Sequence, residues 1–378
     1  MNKIVLSFFT FLLITFSLIA QDDVEVNVVG FKFLDYQGNA LPDDLLKTKS
    51  VVFVSVPTVS KTSPERGDWK KFATEAHSVL KDAGVDPVKY YYMDDVLAGN
   101  EVSQAIAEEM KKREIANIII LSHVAFQIKN KDAERYVIVA TPFSGDENFM
   151  KNGQVAWKTQ DKNYDKALKS FSKDAGKLGT KENLLINDTP EFFETIDIFK
   201  GARNASFSED LRIDKLAVPK FSEIQIPSNP PGGVINNNIR KEAEGYNQNV
   251  ASLNSKLESA FADYPFEYGL VDENMDDKTL RAHGYHFILL KLNTAGENIK
   301  QLLGYESDDI MDDYVTVKQA GGKNIFRSIP KKAPVYKYYI RHINSGDIYL
   351  GTGWDADETW HEALENHLFN LVKTIKTE

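Results

Sequence analysis

Residues 51–57 read VVFVSVP, an apolar run closed by a proline, and this stretch indicates the fold of the chain. It is typical of a β-strand, because β-branched residues dominate it and proline ends it. A polar loop follows. From Glu65 to Ala83 apolar residues then recur three and four positions apart, which predicts a helix that stops at Gly84. A strand followed by an amphipathic helix indicates an α/β fold.

The same alternation of strands and helices continues to residue 177. Its run NIIILSHV is apolar throughout, as expected of a buried central strand. The predicted elements after the first helix are a strand at 88–96, a helix at 101–113, strands at 117–124, 135–143 and 153–159, and a helix at 163–175.

The second half of the chain repeats this order of elements. IQIP (224–227) takes the place of VSVP (54–57) at the end of the first strand, and Ser-Gly-Asp recurs at 345–347 after its first occurrence at 144–146. We therefore predict two tandem α/β domains with mixed sheets, built in two or three layers and related by internal duplication. The alternative is a pair of unrelated α/β domains of similar length.

The domain boundaries follow from these repeats and from the sequence between them. The predicted segments are a signal peptide at 1–20, a first domain at 21–177 with an extra leading strand at 22–40, a linker at 178–206, and a second domain at 207–378 that carries an insertion at 293–332.

The first twenty residues have the pattern of a secretory signal peptide. Lys3 gives a positive start, residues 4–20 carry no charge, and Ala20 provides a small residue at the cleavage position. An uncleaved membrane anchor is the alternative, but seventeen apolar residues are marginal for a bilayer core of about 30 Å. We predict cleavage and an exported protein that does not span the membrane, placed in the periplasm, at the periphery of the outer membrane or outside the cell.

Composition excludes several kinds of chemistry. The 45 Lys and Arg residues stand against 55 Asp and Glu residues, so the net charge is −10 and the pI about 5.4, which argues against nucleic acid as a partner. The chain has no cysteine, which excludes disulfides, thiolate nucleophiles, Cys-ligated zinc and a lipoprotein anchor cysteine.

Both halves resemble the α/β domain of the TolB amino-terminal and curli-secretion-channel (CsgG-like) group. The resemblance rests on VSVP, YMDD (92–95) and the SGD turn followed by VAW in the first half, and on IQIP, LVDE (270–273) and SGDIYLGTGW in the second. The lipobox cysteine and the long transmembrane hairpins of the curli channel are missing, so a pore is not implied. The resemblance implies non-catalytic work in the cell envelope, such as binding partner proteins in a secretion or outer-membrane assembly complex.

Two segments are candidates for partner contact. The first is the strand-to-helix loop with Pro231, Gly232 and Gly233, because loops at the carboxyl ends of strands form the functional edge of open α/β sheets. It lacks the G-x-G-x-x-G pattern of a dinucleotide site. The second is the insertion. Its candidate residues are Tyr305, Asp308, Asp309, Asp312 and Asp313. Weak calcium binding by these acids is an alternative to a solvated acidic face.

His361 and Glu365 are the weak candidates for a metal site. They lie four residues apart, so they share one face of a predicted C-terminal helix, but the next histidine, His367, falls six residues after the first. A zincin needs H-E-x-x-H, which this spacing does not provide. The acids Asp355, Asp357 and Glu358 suit a helix N-terminus instead. Neither a nucleophile elbow nor a pair of catalytic acids stands out, and we predict no cofactor.

The sequence therefore favours a non-catalytic exported protein that binds one or more envelope proteins. The alternatives are a periplasmic or secreted hydrolase with His361 and Glu365 in its site, and a small-ligand binder that uses the cleft between the domains.

Overall fold

The computed structural model describes residues 32–36, 40–60, 63–128, 131–194, 196–305, 313–320 and 323–377. The signal peptide and most of the leading strand predicted at 22–40 lie outside the described residues. Contacts divide the chain into two units. The N-terminal unit contains the described residues up to 194 together with 225–243, and the C-terminal unit contains 196–224 and 244–377.

The N-terminal unit is built from seven strands and four helices among its described residues, followed by the start of a fifth helix. In chain order they are β1 (Lys49–Ser55), β2 (Thr58–Ser60), β3 (Ser63–Arg66), α1 (Trp69–Ala83), β4 (Asp86–Tyr92), α2 (Met93–Val96), α3 (Asn100–Lys112), β5 (Ile115–Ile128), β6 (Lys131–Pro142), β7 (Trp157–Asp161), α4 (Tyr164–Ala175) and α5 (Val234–Ala260), which contributes residues to both units.

Five of these strands form one mixed sheet in the order β4-β1-β5-β6-β7. β1 runs parallel to β4 and β5, whereas β5, β6 and β7 are antiparallel neighbours. Val52 and Val54 of β1 are fully buried and pack with the apolar stripe of α1. Asp68 caps α1 by accepting from the backbone N–H of Lys71, and Gly84 ends it with a φ of 90°, which favours glycine.

The helix predicted from Glu65 begins four residues later, at Trp69, because the residues before it form the small hairpin of β2 and β3. That hairpin is fixed at the carboxyl end of β4 by a buried ion pair. Both terminal nitrogens of the Arg66 guanidinium bond the Asp95 carboxylate at 3.0–3.1 Å, and the guanidinium lies 4.1 Å from the ring centre of Tyr92. The loop after the first strand is therefore held in place over the sheet edge.

The C-terminal unit has a second mixed sheet. Before α5 the chain forms β8 (Arg203–Asn204), a 3₁₀ turn (Glu209–Arg212) and β9 (Lys215–Pro219). After α5 it forms β10 (Tyr268–Val271), α6 (Asp277–Ala282), β11 (Tyr285–Ala295), α7 (Gly296–Leu303), β12 (Asp313–Ala320), β13 (Lys323–Pro330), β14 (Pro334–His342), β15 (Ile348–Tyr349) and α8 (Trp360–Thr377).

The two sheets share one strand order. In the C-terminal unit it is β10-β9-β11-β14-β15, with β8 added at the edge, and the directions repeat those of the N-terminal sheet: two parallel contacts of β9, then antiparallel β11, β14 and β15. The α/β class with mixed sheets is thus confirmed. Common descent of the two halves is a separate statement and stays a prediction.

The two Ser-Gly-Asp turns also share their local structure. Gly145 and Gly346 have φ values of 84° and 76°, a region that glycine adopts without strain. The hydroxyl of Ser144 donates to Asp146 at 3.0 Å, and that of Ser345 donates to Asp347 at 2.6 Å. The repeated tripeptide therefore gives the same glycine conformation and the same Ser-to-Asp bond in both units.

The first strand of the second sheet ends earlier than its sequence pattern predicts. β9 stops at Pro219, so the IQIP segment (224–227) is not a strand of this sheet. The backbone after Pro219 bonds side chains of α5 instead. Asn254 accepts from the N–H and donates to the carbonyl of Phe221, and Asn247 does the same for Ile224. Amide side chains take the place of a neighbouring strand.

The segment predicted as a linker is divided between the units. Residues 178–194 belong to the N-terminal unit, where the backbone around Phe192 runs beside β4, and Phe193 is buried. Residues 196–206 belong to the C-terminal unit and include β8. Of the predicted leading strand, the described residue Asp35 forms a single parallel bridge with Val155.

Candidate interaction surface

The predicted insertion forms a distinct structure in the C-terminal unit. In the first sheet β5 and β6 are consecutive strands of one long hairpin. Their counterparts β11 and β14 are separated by α7 and by the hairpin of β12 and β13, which we call the insertion hairpin (residues 313–330). The added elements lie within 296–333, because β11 continues to Ala295 and pairs with the start of β14 at Pro334.

The inner face of the insertion hairpin is packed against the body of the unit. Tyr314 is paired with Ile329 across the hairpin, and both are buried. The Tyr314 ring meets the Trp354 ring edge-on at 5.6 Å, and the ammonium of Lys300 lies 3.8 Å from the centre of the Tyr314 ring. These contacts fix the base of the hairpin through aromatic packing and a cation–π interaction.

Arg327 ties the same face to the N-terminal end of α8. Its guanidinium bonds Asp357 at 2.7 Å, also bonds Glu358, and lies 3.5 Å from Glu362. The Asp357 side chain is fully buried, and burial raises its pKa. Asp357 also pairs through its backbone with Tyr336 of β14. A buried carboxylate that meets a guanidinium from the hairpin gives the insertion a fixed position.

The outer face of the insertion hairpin carries an exposed apolar patch. Val317 and Phe326 are directly paired, so their side chains project from the same face, and Val315 projects from it as well. Phe326 is 69% exposed and Val315 46% exposed, while Val317 is half-buried. Within the described residues, β12 and β13 hydrogen-bond as strands only with each other. An anchored hairpin with large exposed apolar side chains has the character of a protein contact surface.

The predicted contact residues fall in different surroundings. Pro231 and Gly232 line an open depression of about 340 Å³ in the N-terminal unit, together with Asp35 and Asn152. Gly233, with φ at 111°, directly precedes α5. The loop and the insertion belong to different units, and no common site is described for them.

Two of the insertion candidates have internal contacts. Tyr305 is half-buried, packs edge-on against Trp354 at 5.6 Å and donates to the carbonyl of Leu350, and burial raises its pKa. Asp313 is exposed and accepts from the Ser328 hydroxyl at 2.7 Å. Asp308, Asp309 and Asp312 lie outside the described residues.

The metal candidates form an ordinary pair on the surface of α8. Nδ1 of His361 lies 3.5 Å from a carboxylate oxygen of Glu365, one helical turn away, and both side chains are substantially exposed. Across the described part of the chain, no group of three or more His, Cys, Asp or Glu side chains is arranged to hold a metal ion.

Sequence reasoning missed a cluster of ionisable side chains in the core of the C-terminal unit. The cluster consists of Lys337 in β14, Asp355 in the segment before α8, and His367 in α8. Each of these side chains is at most 1% exposed. The nitrogen Nζ of Lys337 is 2.6 Å from Asp355 Oδ1, and Nδ1 of His367 is 3.1 Å from Asp355 Oδ2. One signal was present: Lys337 interrupts the otherwise apolar and aromatic run VYKYYI (335–340).

Comparison of the chain with protein-family models, with curated proteins and with solved structures finds no match in any of the three. The likeness to the TolB and curli-channel group therefore rests on the sequence patterns alone and stays a prediction. In the described ranges, no helix combines the length and the apolar character needed to cross a bilayer.

Proposed function

We propose that this chain is an exported, non-catalytic protein that binds a partner protein of the cell envelope through the outer face of the insertion hairpin. The observation that carries the proposal is the exposure of Phe326 and Val315 on a hairpin whose opposite face is anchored by Arg327 and Tyr314. An anchored surface loses little conformational freedom on binding, which favours affinity.

The charge around the hairpin indicates the chemistry of the partner. The insertion hairpin and the two residues after it (313–332) have five basic residues and one acidic residue, Asp313, although the net charge of the chain is −10. The five are Lys318, Lys323, Arg327, Lys331 and Lys332. Arg327 is already paired with three acids on the inner face, so the other four basic residues leave the segment with a positive balance, and a partner with acidic groups beside its apolar contact would be attracted to it. The resemblance to envelope assembly proteins supports the same interpretation.

The ionisable side chains of the described residues support catalysis less well than binding. The cluster of Lys337, Asp355 and His367 is enclosed by protein. Arg66, at the end of β3, forms a buried ion pair with Asp95, so neither charge is free. His361 and Glu365, which the hydrolase alternative requires, pair with each other on an exposed helix face. A binding surface therefore accounts for more of the described geometry than a reaction centre does.

The experiment compares Phe326→Ser with Val59→Ser in tagged full-length chains isolated from envelope extracts. Val59 is 67% exposed and lies in the other unit, so its replacement is a matched loss of exposed apolar surface. A partner that is retained by wild type and Val59→Ser but lost from Phe326→Ser supports the proposal. With that partner purified, we expect affinity to fall about 30-fold, as for a hot-spot side chain worth ~2 kcal/mol.

Other occupants of the surface would give different results. Binding to anionic vesicles that Phe326→Ser abolishes would identify a membrane surface, and a Phe326-dependent change in oligomeric state would identify a second copy of the chain. Either outcome would overturn the proposal of a partner protein. Equal retention of every partner by the two variants would do the same.

A further inference from the structure

The buried cluster of the C-terminal unit holds an amine and a carboxyl group in direct contact. Lys337 and Asp355 are in contact and are shielded from water, with exposed fractions of 0% and 1%. Because the chain has no cysteine, a covalent link within this core would have to come from other side chains. An amine and a carboxyl group can supply one by forming an amide.

The amine is held by two backbone carbonyls. Nζ of Lys337 donates to the carbonyl oxygens of Tyr338 and Leu350, at 2.9 Å each. It also interacts with the Tyr305 hydroxyl and lies 2.6 Å from Asp355 Oδ1, an oxygen that has no hydrogen bond of normal geometry within the described residues. A neutral amine has two N–H groups and one lone pair. With both N–H groups taken by the carbonyls, the lone pair is left for the side on which Asp355 and the Tyr305 hydroxyl lie.

The other oxygen of the carboxyl group has donors. Asp355 Oδ2 is 3.1 Å from Nδ1 of His367 and 3.3 Å from the side-chain amide of Asn370. Burial lowers the pKa of His367, so the ring is neutral and its Nδ1–H donates. When an amine adds to a carboxyl carbon, negative charge develops on the oxygen that stays. His367 and Asn370 are placed to stabilise it.

We propose that Lys337 and Asp355 condense in the folded protein to form an intramolecular amide (isopeptide) bond. The bond that forms joins Nζ to the Asp355 carboxyl carbon, and the bond that breaks joins that carbon to Oδ1. Of the three protons of the Lys337 ammonium, one stays on the amide nitrogen and two leave with Oδ1 as water. No oxidant, metal or second substrate is needed, and the charge of the pair is zero before and after.

Proton transfer precedes the attack. Burial opposes the charge on Lys337, but the Asp355 carboxylate outweighs it and raises the pKa of the amine, and the ammonium likewise lowers the pKa of Asp355 against its burial. The unreacted pair is therefore ionic. Passing one proton across the 2.6 Å contact gives the neutral amine and the neutral acid that react, and the absence of water around them lowers the cost of this step. Fixed proximity then replaces a collision between separate molecules.

The bond would tie β14 to the segment that leads into α8. It would close a loop between residues 337 and 355 that contains the Ser-Gly-Asp turn and β15. The carbonyl of the new amide is Oδ2, which keeps the donors from His367 and Asn370. One N–H remains for a backbone carbonyl. The product therefore fits the hydrogen-bond partners already present.

Mass spectrometry of the purified full-length wild-type protein under denaturing conditions tests the proposal. We expect a mass lower by one water than the mature sequence requires, and a protease digest with one branched peptide joining the segments around 337 and 355. Lys337→Arg and Asp355→Ala should each restore the full mass. Comparing each variant with wild type removes any dependence on where the signal peptide is cleaved.

The wild-type digest alone is decisive if the variants do not fold. Unmodified peptides around both residues, together with the full wild-type mass, would show a non-covalent ion pair and overturn the proposal. His367→Phe tests the positioning role of the imidazole. We expect a mixture of linked and unlinked chains, whereas complete linkage in this variant would refute the part assigned to His367. None of these measurements depends on a partner protein.

Discussion

Removing the guanidinium of Arg327 should loosen the insertion hairpin without unfolding the sheet. In Arg327→Ala the buried Asp357 carboxylate loses a 2.7 Å charge-assisted bond, and Glu358 and Glu362 lose their common partner. A hydrogen bond to a charged group contributes about 1.5–3 kcal/mol. Asp357 keeps the backbone N–H of Glu358 at 2.8 Å and the Asn366 amide at 3.3 Å. Because Arg327 is 39% exposed, solvent screens part of the interaction. We therefore expect a local cost of about 1–2 kcal/mol.

Hydrogen exchange measured by mass spectrometry gives the assay. A cost of that size should speed exchange of the hairpin amides in β12 and β13 by roughly 5- to 30-fold, while the amides of β9 and β11 keep their wild-type protection. Ser328→Ala is the matched control, since Ser328 lies on the same hairpin but bonds only the exposed Asp313 among its described contacts. Unchanged exchange in the hairpin of Arg327→Ala, or equal acceleration throughout the C-terminal unit, would refute the anchoring argument.

Further predictions concern buried charge in the N-terminal unit. Asp95→Ala should lower the free energy of unfolding in urea by about 3–5 kcal/mol, because it leaves the Arg66 guanidinium buried without its carboxylate. The double variant Arg66→Met/Asp95→Leu should recover most of that loss. An Asp95→Ala protein as stable as wild type would contradict this prediction. Burial raises the pKa of Glu242 to about 7 from 4.5, so the folded state binds more protons between these values and its stability falls as pH rises through that window. Glu242→Gln should therefore stabilise the chain at pH 8 and leave it nearly unchanged at pH 4, as read from urea midpoints, and an equal effect at both pH values would reject the argument.

The sequence predicts the α/β elements well where one period dominates. β1, β5 and α1 are buried along one face or throughout, so their apolar patterns identify them with small errors at the ends. The pattern fails at IQIP, because alternating apolar residues also suit an extended segment that lies on a helix. What distinguishes the two cases is the partner of the backbone, here Asn247 and Asn254, and these lie more than twenty residues away in the chain.

The candidate surface was predicted in part. The repeat comparison predicts an insertion at 293–332, and in the structure α7 and the insertion hairpin lie between β11 and β14, within 296–333. It does not identify Phe326 and Val315, since the alternation of the hairpin does not say which face meets the body of the unit. That choice depends on Trp354 and Asp357, which meet the inner face from later in the chain. The Lys337 cluster is not predicted from the sequence for the same reason, because its members are brought together only by folding.

The tryptophan that follows the Ser-Gly-Asp turn has different surroundings in the two units. Trp157 is buried and donates to Asp174 of α4 at 3.0 Å, inside the core of its own sheet. Trp354 is half-buried and packs instead against Tyr305 and Tyr314, which the segment between β11 and β14 supplies. Trp157 lies in β7, whereas Trp354 follows the end of β15, the corresponding strand, and supports the insertion hairpin. The insertion is then structurally coupled to the segment around Asp355 and Asp357, the same segment that holds the carboxyl group facing Lys337.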